Sequence, residues 1–399
     1  MSGLRTFLHR ASACTRIRTC RGFLTAVTVA SLLGLGLAAA PPAFSSPRSA
    51  PTAIVSLGDS YISGEAGRWR GNSLTNSGGR DGTDRAWTGS TYDPSLVYGA
   101  SAGNGCHRSD SAEVKSATGT GVQALIDLSC SGARTDNVVR AVNGGTPLKG
   151  EAPQADQLAA VARQYEVKAV VLAIGGNDLG FASIIETCAA DYIVFYSYCH
   201  DDQQELVDGR IDRVMAAVGK SVDEIRSVMA EAGYTPRSYR IILQSYPSPI
   251  PRHTENRYPQ SGWSRVFQGG CPFWNADADW ARDRLVPQIA ERLRGVATAK
   301  GVQFLDLQDM LQGREVCSTA SRHVSASQPP SATRSEWARW IDSNETQGPV
   351  QESMHPNYYG QLAQGRCLTL VYAAGPDRHH SCRNTPGTGS SGMYLSSLP

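Results

Sequence analysis

A serine, an asparagine and a histidine in three separate segments have side chains suited to nucleophilic catalysis. Ser60 follows an apolar run in "IVSLGDSYISGEAG", Asn177 lies in "AIGGNDLGF", and His355 lies in "QESMHPNYYGQ". A serine hydroxyl is a weak nucleophile until a base accepts its proton and hydrogen-bond donors stabilise the oxyanion that forms. The chemistry that these residue types suggest is acyl transfer from an ester to water.

Two glycine-containing turns offer donors for an oxyanion. Gly132, in "LSCSGARTDN", has no side chain that would keep its N–H group away from a developing negative charge. Gly175 and Gly176 permit a sharp turn after a strand, which would direct the Asn177 amide toward Ser60. Taken alone, each segment is equally well explained as a plain turn.

His355 is the candidate base because histidine titrates near neutral pH. Pro356 fixes the chain direction before a predicted helix, and Glu352 precedes the histidine by three residues. From there the Glu352 carboxylate would accept a hydrogen bond from the second ring nitrogen and so favour the tautomer that can take a proton from Ser60. Capping of the following helix is the alternative role for both residues. The other histidines after the N-terminal segment lie mostly in polar loops, where a solvated ring is expected: His107, His200, His253, His323, His379 and His380.

A different hydrolase motif, G-x-S-x-G, is matched once, by Gly99 to Gly103 with Ser101 at its centre. That motif requires a helix immediately after the serine. The chain continues "GNGCHRSD", which begins with residues that do not favour a helix. Ser101 is therefore expected to be structural.

A metal site is a further alternative. Residues 199–202 and 379–382 contain histidine, cysteine and aspartate, but neither segment has a recognised ligand spacing. Their cysteines are expected to be oxidised. The sequence therefore predicts neither a metal nor another cofactor.

The elements that position these residues are predicted from hydrophobic patterning. Besides the run before Ser60, four apolar, β-branched segments predict buried strands, and helical patterns lie between them. This alternation predicts an α/β fold with a mainly parallel five-stranded sheet covered on both faces, which binds ligands where the strands end. The predicted strands are 124–128, 169–174, 240–245 and 302–307, and the predicted helices are 153–165, 210–233, 276–300 and 358–372.

Long polar segments interrupt a single predicted domain, residues 46–385. These insertions span about 63–108 and 318–349, and loops of that length are lids, binding walls or disordered. We expect the first to be a wall that selects the ester. Residues 386–399 are expected to be a disordered tail. The aromatic residues of the insertions include Trp69, Trp87, Tyr92, Tyr98, Trp337 and Trp340.

The N-terminal segment predicts export and secretion. Five arginines precede an apolar stretch from Phe23 to Ala40, and small residues after it offer cleavage sites. The length of that stretch leaves an uncleaved anchor as an alternative. Removing residues 1 to about 45 takes away the five arginines and no acidic residue, which changes the formal net charge from +2 to −3. A basic surface for nucleic acid is thereby excluded.

The cysteines that remain after Cys14 and Cys20 are even in number, which predicts disulfides in an exported chain. Sequence alone leaves many pairings open. Closeness favours Cys188 with Cys199 and Cys367 with Cys382. The order along the chain permits only guesses for the rest: Cys106, Cys130, Cys271 and Cys317.

Together these segments resemble the SGNH hydrolase, or GDSL esterase-lipase, superfamily. Its four named residues are matched in order by Ser60 in "GDSY", Gly132 in "CSGA", Asn177 in "GGND" and His355 in "MHPN". The resemblance spans about Thr52 to Tyr372. It implies a flavodoxin-like three-layer α/β/α sandwich and a serine esterase or lipase. Ser60 would be its nucleophile and His355 its general base, with the N–H groups of Ser60 and Gly132 and the Asn177 amide forming the oxyanion hole.

The segment "CHRSD" is similar to one in the secreted actinobacterial branch of that superfamily. This similarity implies the pairs Cys106–Cys130, Cys188–Cys199 and Cys271–Cys317, and leaves Cys367 with Cys382. Glu352 is a departure, because the family usually has an aspartate there and some relatives use a backbone carbonyl instead. The group that orients His355 therefore stays open between Glu352 and a carbonyl.

The resemblance implies an ester substrate, either an acyl lipid or an acylated glycan, and no cofactor. Short-chain esters, lipids, phospholipids and acetylated glycans all stay open as substrates. We expect a monomer. The alternative to an enzyme is a non-catalytic binding protein that keeps the fold and binds a glycan or a lipid through its tryptophan-bearing loops.

Overall fold

A seven-stranded sheet forms the centre of the protein in a computed structural model that describes residues 50–194, 197–342, 345–376 and 378–398. The predicted export signal lies outside these residues. The order across the sheet is β2-β1-β3-β4-β5-β6-β7, and all neighbours are parallel except β6 and β7. The strands are β1 Thr52–Gly58, β2 Ala124–Asp127, β3 Glu166–Ala173, β4 Arg240–Gln244, β5 Gln303–Asp306, β6 His380–Asn384 and β7 Met393–Ser397.

Helices cover both faces of the sheet, which gives the expected three-layer α/β/α architecture. Helices α6, α9 and α11 pack together on one layer, and α4 and α12 form the other. The helices are α1 Ser60–Ser63, α2 Ser95–Tyr98, α3 Ser101–Asn104, α4 Glu113–Ser116, α5 Thr135–Val138, α6 Gln154–Ala162, α7 Gly176–Leu179, α8 Phe181–Ile193, α9 His200–Glu231, α10 Asn275–Trp280, α11 Val286–Lys300 and α12 Tyr358–Ala374.

The order of the strands fixes where a ligand site lies. Strand β1 has β2 on one side and β3 on the other, so the connections leaving β1 and β3 run in opposite directions across the sheet. Parallel sheets bind ligands at such a switch point, outside the carboxyl ends of the strands. Ser60 follows β1 and Asn177 follows β3, so both lie at this position.

The five predicted strands form, but the sheet has two more. Strands β6 and β7 add an edge, and β7 lies within residues 386–399, where the sequence predicted a disordered tail. Both strands are short; β6 is largely polar, and the apolar run of β7 is only three residues long. They are held by antiparallel pairing with each other and by the Cys367–Cys382 disulfide to α12. These are tertiary contacts that a hydrophobic pattern does not report.

The predicted helices also form, with one large shift, and α8 is the longest of the helices that were not predicted. Helix α9 begins at His200, well before the predicted start at residue 210. The Asp277 carboxylate accepts hydrogen bonds from the N–H groups of Cys199 and His200, at 3.2 Å each. A residue distant in sequence thus caps this helix.

Four disulfides join the eight cysteines of the described residues. The pairs are those that the family resemblance implied: Cys106–Cys130, Cys188–Cys199, Cys271–Cys317 and Cys367–Cys382. The predicted pairing is therefore confirmed. None of the helices within the described ranges is both long and apolar enough to cross a bilayer.

The two long insertions pack into the molecule. Trp69 of the first and Trp337 of the second are fully buried. The Arg339 guanidinium lies 3.7 Å from the centre of the Trp69 ring, and its Nη1 donates to Asn72 Oδ1 at 3.0 Å. These contacts bury Trp69 of the first insertion against the second insertion. The role of the first insertion as a wall that selects the ester stays a prediction.

Candidate active site

The turn after β1 places Ser60 at the carboxyl edge of the sheet. Gly58 has a φ of +139°, and a Cβ there would lie 2.0 Å from the Ala173 carbonyl oxygen, so only glycine fits. The Gln154 amide accepts from the Gly58 N–H at 2.7 Å and donates to its carbonyl at 2.8 Å. Asp59 then caps α1 by accepting from the Tyr61 N–H at 3.1 Å. Ser60 is therefore the first residue of α1, held on a fixed backbone.

The His355 ring lies against the Ser60 hydroxyl. Its Nε2 is 2.7 Å from Ser60 Oγ, and its Nδ1 is 2.9 Å from the Ser353 carbonyl oxygen. A carbonyl only accepts, so Nδ1 carries the proton and Nε2 is left unprotonated to accept from the serine. The ring is thus in the tautomer that a general base requires.

The two glycine turns meet beside Ser60. The Cys130 N–H donates to the Gly58 carbonyl at 3.0 Å, and Asn177 Nδ2 donates to the Ala133 carbonyl at 2.8 Å. Gly132 lies between these contacts with a φ of +85° and open space where a Cβ would stand. Among the described residues, the N–H groups of Ser60 and Gly132 have no hydrogen-bond acceptor. N–H groups without an acceptor in the protein are available to an oxyanion.

The structure brings Ser60, Gly132, Asn177 and His355 to one edge of the sheet, in the order and at the turns that the sequence indicated. The chain resembles the SGNH hydrolases in fold and in site. The resemblance stated from the sequence is confirmed at this level. The roles of the individual residues in this SGNH-like site stay predictions.

Several solved structures are similar to this chain. An extracellular lipase from Streptomyces rimosus matches 81% of this chain and 100% of its own, with 22% identity and a TM-score of 0.44. A phospholipase A1 from Streptomyces albidoflavus matches 80% of this chain and 98% of its own, with 19% identity and a TM-score of 0.43. A family two carbohydrate esterase from Clostridium thermocellum matches 81% of this chain and 63% of its own, with 12% identity and a TM-score of 0.34.

No family model matches the chain, and no curated protein matches it. The identities to the solved structures are all below 25%. Similarity at this level does not say what this chain hydrolyses. The function has to be argued from the residues of the SGNH-like site.

The backbone of Glu352 is hydrogen-bonded to the His355 ring, but its carboxylate is not, and the prediction that this carboxylate orients the imidazole is wrong. Its Oε2 accepts from the Trp69 indole N–H at 2.6 Å, and its Oε1 accepts from the Tyr98 hydroxyl at 2.7 Å. The carboxyl is buried, which raises its pKa. Both donors belong to the first insertion. Glu352 therefore ties the histidine loop to that insertion, and the Ser353 carbonyl orients the ring.

The backbone around His355 is held from both sides. Met354 has a φ of +61°, a left-handed conformation that a side-chain-bearing residue adopts at a cost of about 1–2 kcal/mol. Its N–H donates to the Arg339 carbonyl at 2.7 Å, and its carbonyl accepts from the Tyr61 hydroxyl at 2.9 Å. The Arg339 N–H also donates to the His355 carbonyl at 2.9 Å. The second insertion and the residue after the serine thus fix the histidine.

Sequence reasoning missed several residues that connect the turns. The Tyr246 hydroxyl accepts from the Gly176 N–H at 3.0 Å and donates to Asp59 Oδ2 at 2.6 Å. Burial raises the pKa of Asp59 to about 7. Gln154 and Tyr246 carry no motif that would have identified them. Tyr61 could have been found, because it directly follows Ser60.

A buried carboxylate influences the His355 ring electrostatically. Burial lowers the pKa of His355, and the negative charge of Glu65 opposes that effect. Glu65 is fully buried, and its Oε1 lies 2.8 Å from His107 Nδ1. The His107 ring stacks on Tyr98 with 4.5 Å between the ring centres. His107, which was expected to be solvated, is therefore part of the buried support behind the histidine loop.

The competing motifs have structural roles. The Ser101 hydroxyl donates to the Tyr98 carbonyl at 2.6 Å and accepts from the Arg108 N–H at 2.8 Å, with no histidine beside it. Cys199 and Cys382, from the two possible ligand segments, are both in disulfides and offer no thiolate. Within the described ranges, no group of three or more histidine, cysteine or acidic side chains is placed to hold a metal ion.

Proposed function

We propose that the protein is a carboxylic ester hydrolase that works through an acyl-enzyme on Ser60. The observation that carries the proposal is the 2.7 Å contact between Ser60 Oγ and an His355 Nε2 that is free to accept a proton. The Ser60 oxygen attacks the ester carbonyl while His355 takes its proton. His355 then returns the proton to the departing alcohol, and a water molecule, activated by the same ring, releases the acid.

The oxyanion of each tetrahedral intermediate would be stabilised by three donors. These are the N–H groups of Ser60 and Gly132 and the amide of Asn177. A donor of this kind contributes about 3 to 4 kcal/mol to lowering the barrier in comparable sites. The role of Gly132 is supported by its N–H group, which has no acceptor among the described residues, and by its exposed position.

A non-catalytic binding protein is the less well supported function. That alternative needs exposed tryptophans in the two insertions, but Trp69 and Trp337 are fully buried, Trp340 is 7% exposed, and Trp87 is half-buried against Tyr92. It also does not require a histidine held in the accepting tautomer beside a serine. The buried aromatic residues serve the frame around His355 instead.

Secretion is part of the proposal. It is supported by the N-terminal arginines and apolar stretch of the sequence and by the four disulfides, which form and persist in oxidising compartments.

A fluorophosphonate probe tests the proposed nucleophile directly. We expect stoichiometric labelling, because only a serine activated by a base reacts, with the label on the peptide that contains Ser60. Mass spectrometry of the digested protein locates it. Heat-denatured protein is the control and should not be labelled. An unlabelled native protein, or a label on Ser101, would refute the proposal.

The pH dependence of the reaction should reflect the His355 ring. The ring must be neutral to accept a proton, and burial keeps its pKa below the usual 6.5, so kcat/KM should hold down to that lowered pKa and fall at more acidic pH. Glu65→Gln removes a charge that raises this pKa. The acid limb of the pH profile should then move to lower pH.

The matched control for Glu65→Gln is Glu231→Gln, which removes an exposed carboxylate paired with Arg140. Its pH profile should coincide with that of the wild type. Thermal melting of both variants checks that the fold is kept. An acid limb that stays in place or moves to higher pH in Glu65→Gln would show that the Glu65 charge does not act on His355.

A further inference from the structure

We propose that Tyr246 is a positioning residue of the reaction, whose hydroxyl keeps the Asn177 amide directed at the oxyanion that forms at Ser60. This inference rests on the proposed function and gives a part in it to a residue that makes and breaks no bond with the substrate. Tyr246 is buried and lies two residues after β4, the strand that pairs with β3. It thus stands beside the strand that leads to Asn177.

The Tyr246 hydroxyl joins the serine turn to the asparagine turn. Its oxygen accepts from the Gly176 N–H at 3.0 Å, and it donates its own proton to Asp59 Oδ2 at 2.6 Å. Asp59 directly precedes Ser60, and Gly176 directly precedes Asn177. Two hydrogen bonds through one oxygen therefore set the spacing between the nucleophile and the proposed oxyanion donor.

The Asp59 end of this bridge is held firmly. Burial raises the pKa of Tyr246 well above 10, so the phenol keeps the proton that it donates. Burial also raises the pKa of Asp59 to about 7, and above that pH the acceptor is a carboxylate. Hydrogen bonds to a charged group are stronger than those between neutral groups. The second Asp59 oxygen accepts from the Tyr61 N–H at 3.1 Å, which ties the carboxylate to the serine turn.

The asparagine turn depends on side chains from other segments. Gly175 and Gly180, with φ of +112° and +93°, flank the four-residue helix α7, and no side chain at its N-terminus caps it. Glycines at both ends leave the backbone free to rotate. The Gly176 N–H is among the first of the helix, which have no acceptor within it. Tyr246 supplies that acceptor.

The Asn177 amide has a second hydrogen for the oxyanion. Its Nδ2 donates one hydrogen to the Ala133 carbonyl at 2.8 Å, and an amide nitrogen carries two. The other hydrogen has no acceptor among the described residues. One hydrogen bond to the side chain does not fix the backbone from which that side chain extends, so the direction of the second hydrogen depends on the bond between Gly176 and Tyr246.

Neighbouring rings hold the Tyr246 ring in place. It packs edge-on against Tyr61 and Phe181, with 5.2 Å between the ring centres in each pair. A Cβ at Gly176 would lie 3.2 Å from the Tyr246 ring, so the ring also lies close to the backbone of the asparagine turn. Removing the hydroxyl alone keeps these ring contacts. The positioning role can therefore be tested apart from packing.

Tyr246→Phe should lower kcat and kcat/KM for p-nitrophenyl acetate by a similar factor, about 10- to 100-fold, since complete removal of an oxyanion donor costs about 10²- to 10³-fold. The oxyanion exists only in the tetrahedral stages of the reaction, so a misplaced donor lowers both constants together. Steady-state kinetics at a pH above the pKa of Asp59 measure them. An unchanged kcat would overturn the inference.

The matched control is Tyr234→Phe, near the other end of β3. The Tyr234 hydroxyl also bridges a donor and an acceptor, because it accepts from the Val167 N–H at 2.9 Å and donates to the Tyr165 carbonyl at 2.5 Å. Its removal should lower the melting temperature, as Tyr246→Phe does, and leave kcat unchanged. A fall in kcat equal to that of Tyr246→Phe would assign the effect to lost stability and overturn the inference.

Asn177→Ala provides the background that separates positioning from general support of the fold. If Tyr246 acts through the Asn177 amide, Tyr246→Phe should have little further effect once that amide is gone, and the double variant should match Asn177→Ala in kcat. A residue that only supports the fold would lower kcat by the same factor in both backgrounds. Equal factors, or a wild-type kcat in Asn177→Ala, would overturn the inference.

A second variant covers the case in which Tyr246→Phe does not fold. Asp59→Ala removes the acceptor of the Tyr246 hydroxyl. It should lower kcat by a larger factor when Asn177 is present than in the Asn177→Ala background, because only then is there an amide to misplace. Equal factors in the two backgrounds would again overturn the inference.

The outcomes separate this inference from the proposed function. If the wild type hydrolyses p-nitrophenyl acetate and is labelled on Ser60, but Tyr246→Phe acts equally with and without Asn177, the inference fails and the proposed function stands. If the wild type neither hydrolyses the ester nor reacts with a fluorophosphonate, the proposed function fails, and the inference fails with it.

Discussion

Ser60→Ala should lower kcat/KM for hydrolysis of a p-nitrophenyl ester by about 10⁵- to 10⁶-fold, the loss seen when other serine hydrolases lose their nucleophile. The hydroxyl contacts His355 at 2.7 Å and has no other hydrogen-bond partner among the described residues. The methyl group of alanine leaves that ring without a proton to accept. Because a single hydrogen bond is lost, the free energy of unfolding should change by no more than about 1 kcal/mol.

Ser101→Ala is the matched control for Ser60→Ala. Its hydroxyl holds the Tyr98 carbonyl and the Arg108 N–H within the first insertion, so its removal should reduce stability by about 1–3 kcal/mol and leave hydrolysis within a few-fold of the wild type. Steady-state kinetics and chemical denaturation measure the two effects. Retained activity in Ser60→Ala, or its loss in Ser101→Ala alone, would contradict the mechanism.

His355→Ala should cost at least about 10⁴-fold in kcat/KM, since a serine without its base keeps only the contribution of binding and the oxyanion donors. Glu352→Gln should lower kcat/KM far less, within about tenfold. Its carboxylate is hydrogen-bonded to Trp69 and Tyr98, whereas the His355 ring is hydrogen-bonded to the Ser353 carbonyl. Kinetics of both variants on one ester give the comparison.

The effect of Glu352→Gln should appear mainly in stability. A glutamine oxygen can accept from the Trp69 indole while its NH2 group donates to the Tyr98 oxygen, so the Tyr98 hydroxyl has to reverse and both bonds to a charged group are lost, at a cost of about 1–3 kcal/mol. The melting temperature should therefore fall while kcat/KM changes little. A loss of kcat/KM equal to that of His355→Ala, in a folded protein, would show that the carboxylate supports the imidazolium after all.

The active site is stabilised mainly by segments that carry none of its chemistry. The first insertion supplies Trp69 and Tyr98 to Glu352, and the second supplies Arg339 to the backbone on either side of His355. A two-residue arrangement of serine and histidine, oriented by a carbonyl, depends on a rigid loop because no carboxylate fixes the ring. The insertions provide that rigidity.

Strands β1 to β5 could be predicted because each contains or adjoins an apolar, largely β-branched or aliphatic run, and all but the edge strand β2 are mostly buried. Strands β6 and β7 could not, since β6 is mostly polar, the apolar run of β7 is only three residues long, and both form a sheet edge through pairing and a disulfide. Helix α9 likewise begins where Asp277 reaches its first N–H groups, and nothing local indicates that contact. Helices and strands that are stabilised by contacts with distant residues leave no pattern in their own sequence.

The sequence by itself determined the strand-to-turn positions of Ser60, Gly132 and Asn177, and it singled out His355, because each depends on residue type and immediate neighbours. It also restricted the disulfides once the family resemblance was recognised. Only the tertiary structure decided what surrounds them: that the Glu352 carboxylate bonds to Trp69 and Tyr98 and not to the ring, and that His107 is buried against Glu65. Those outcomes depend on which distant side chains meet, and neither spacing nor periodicity records such contacts.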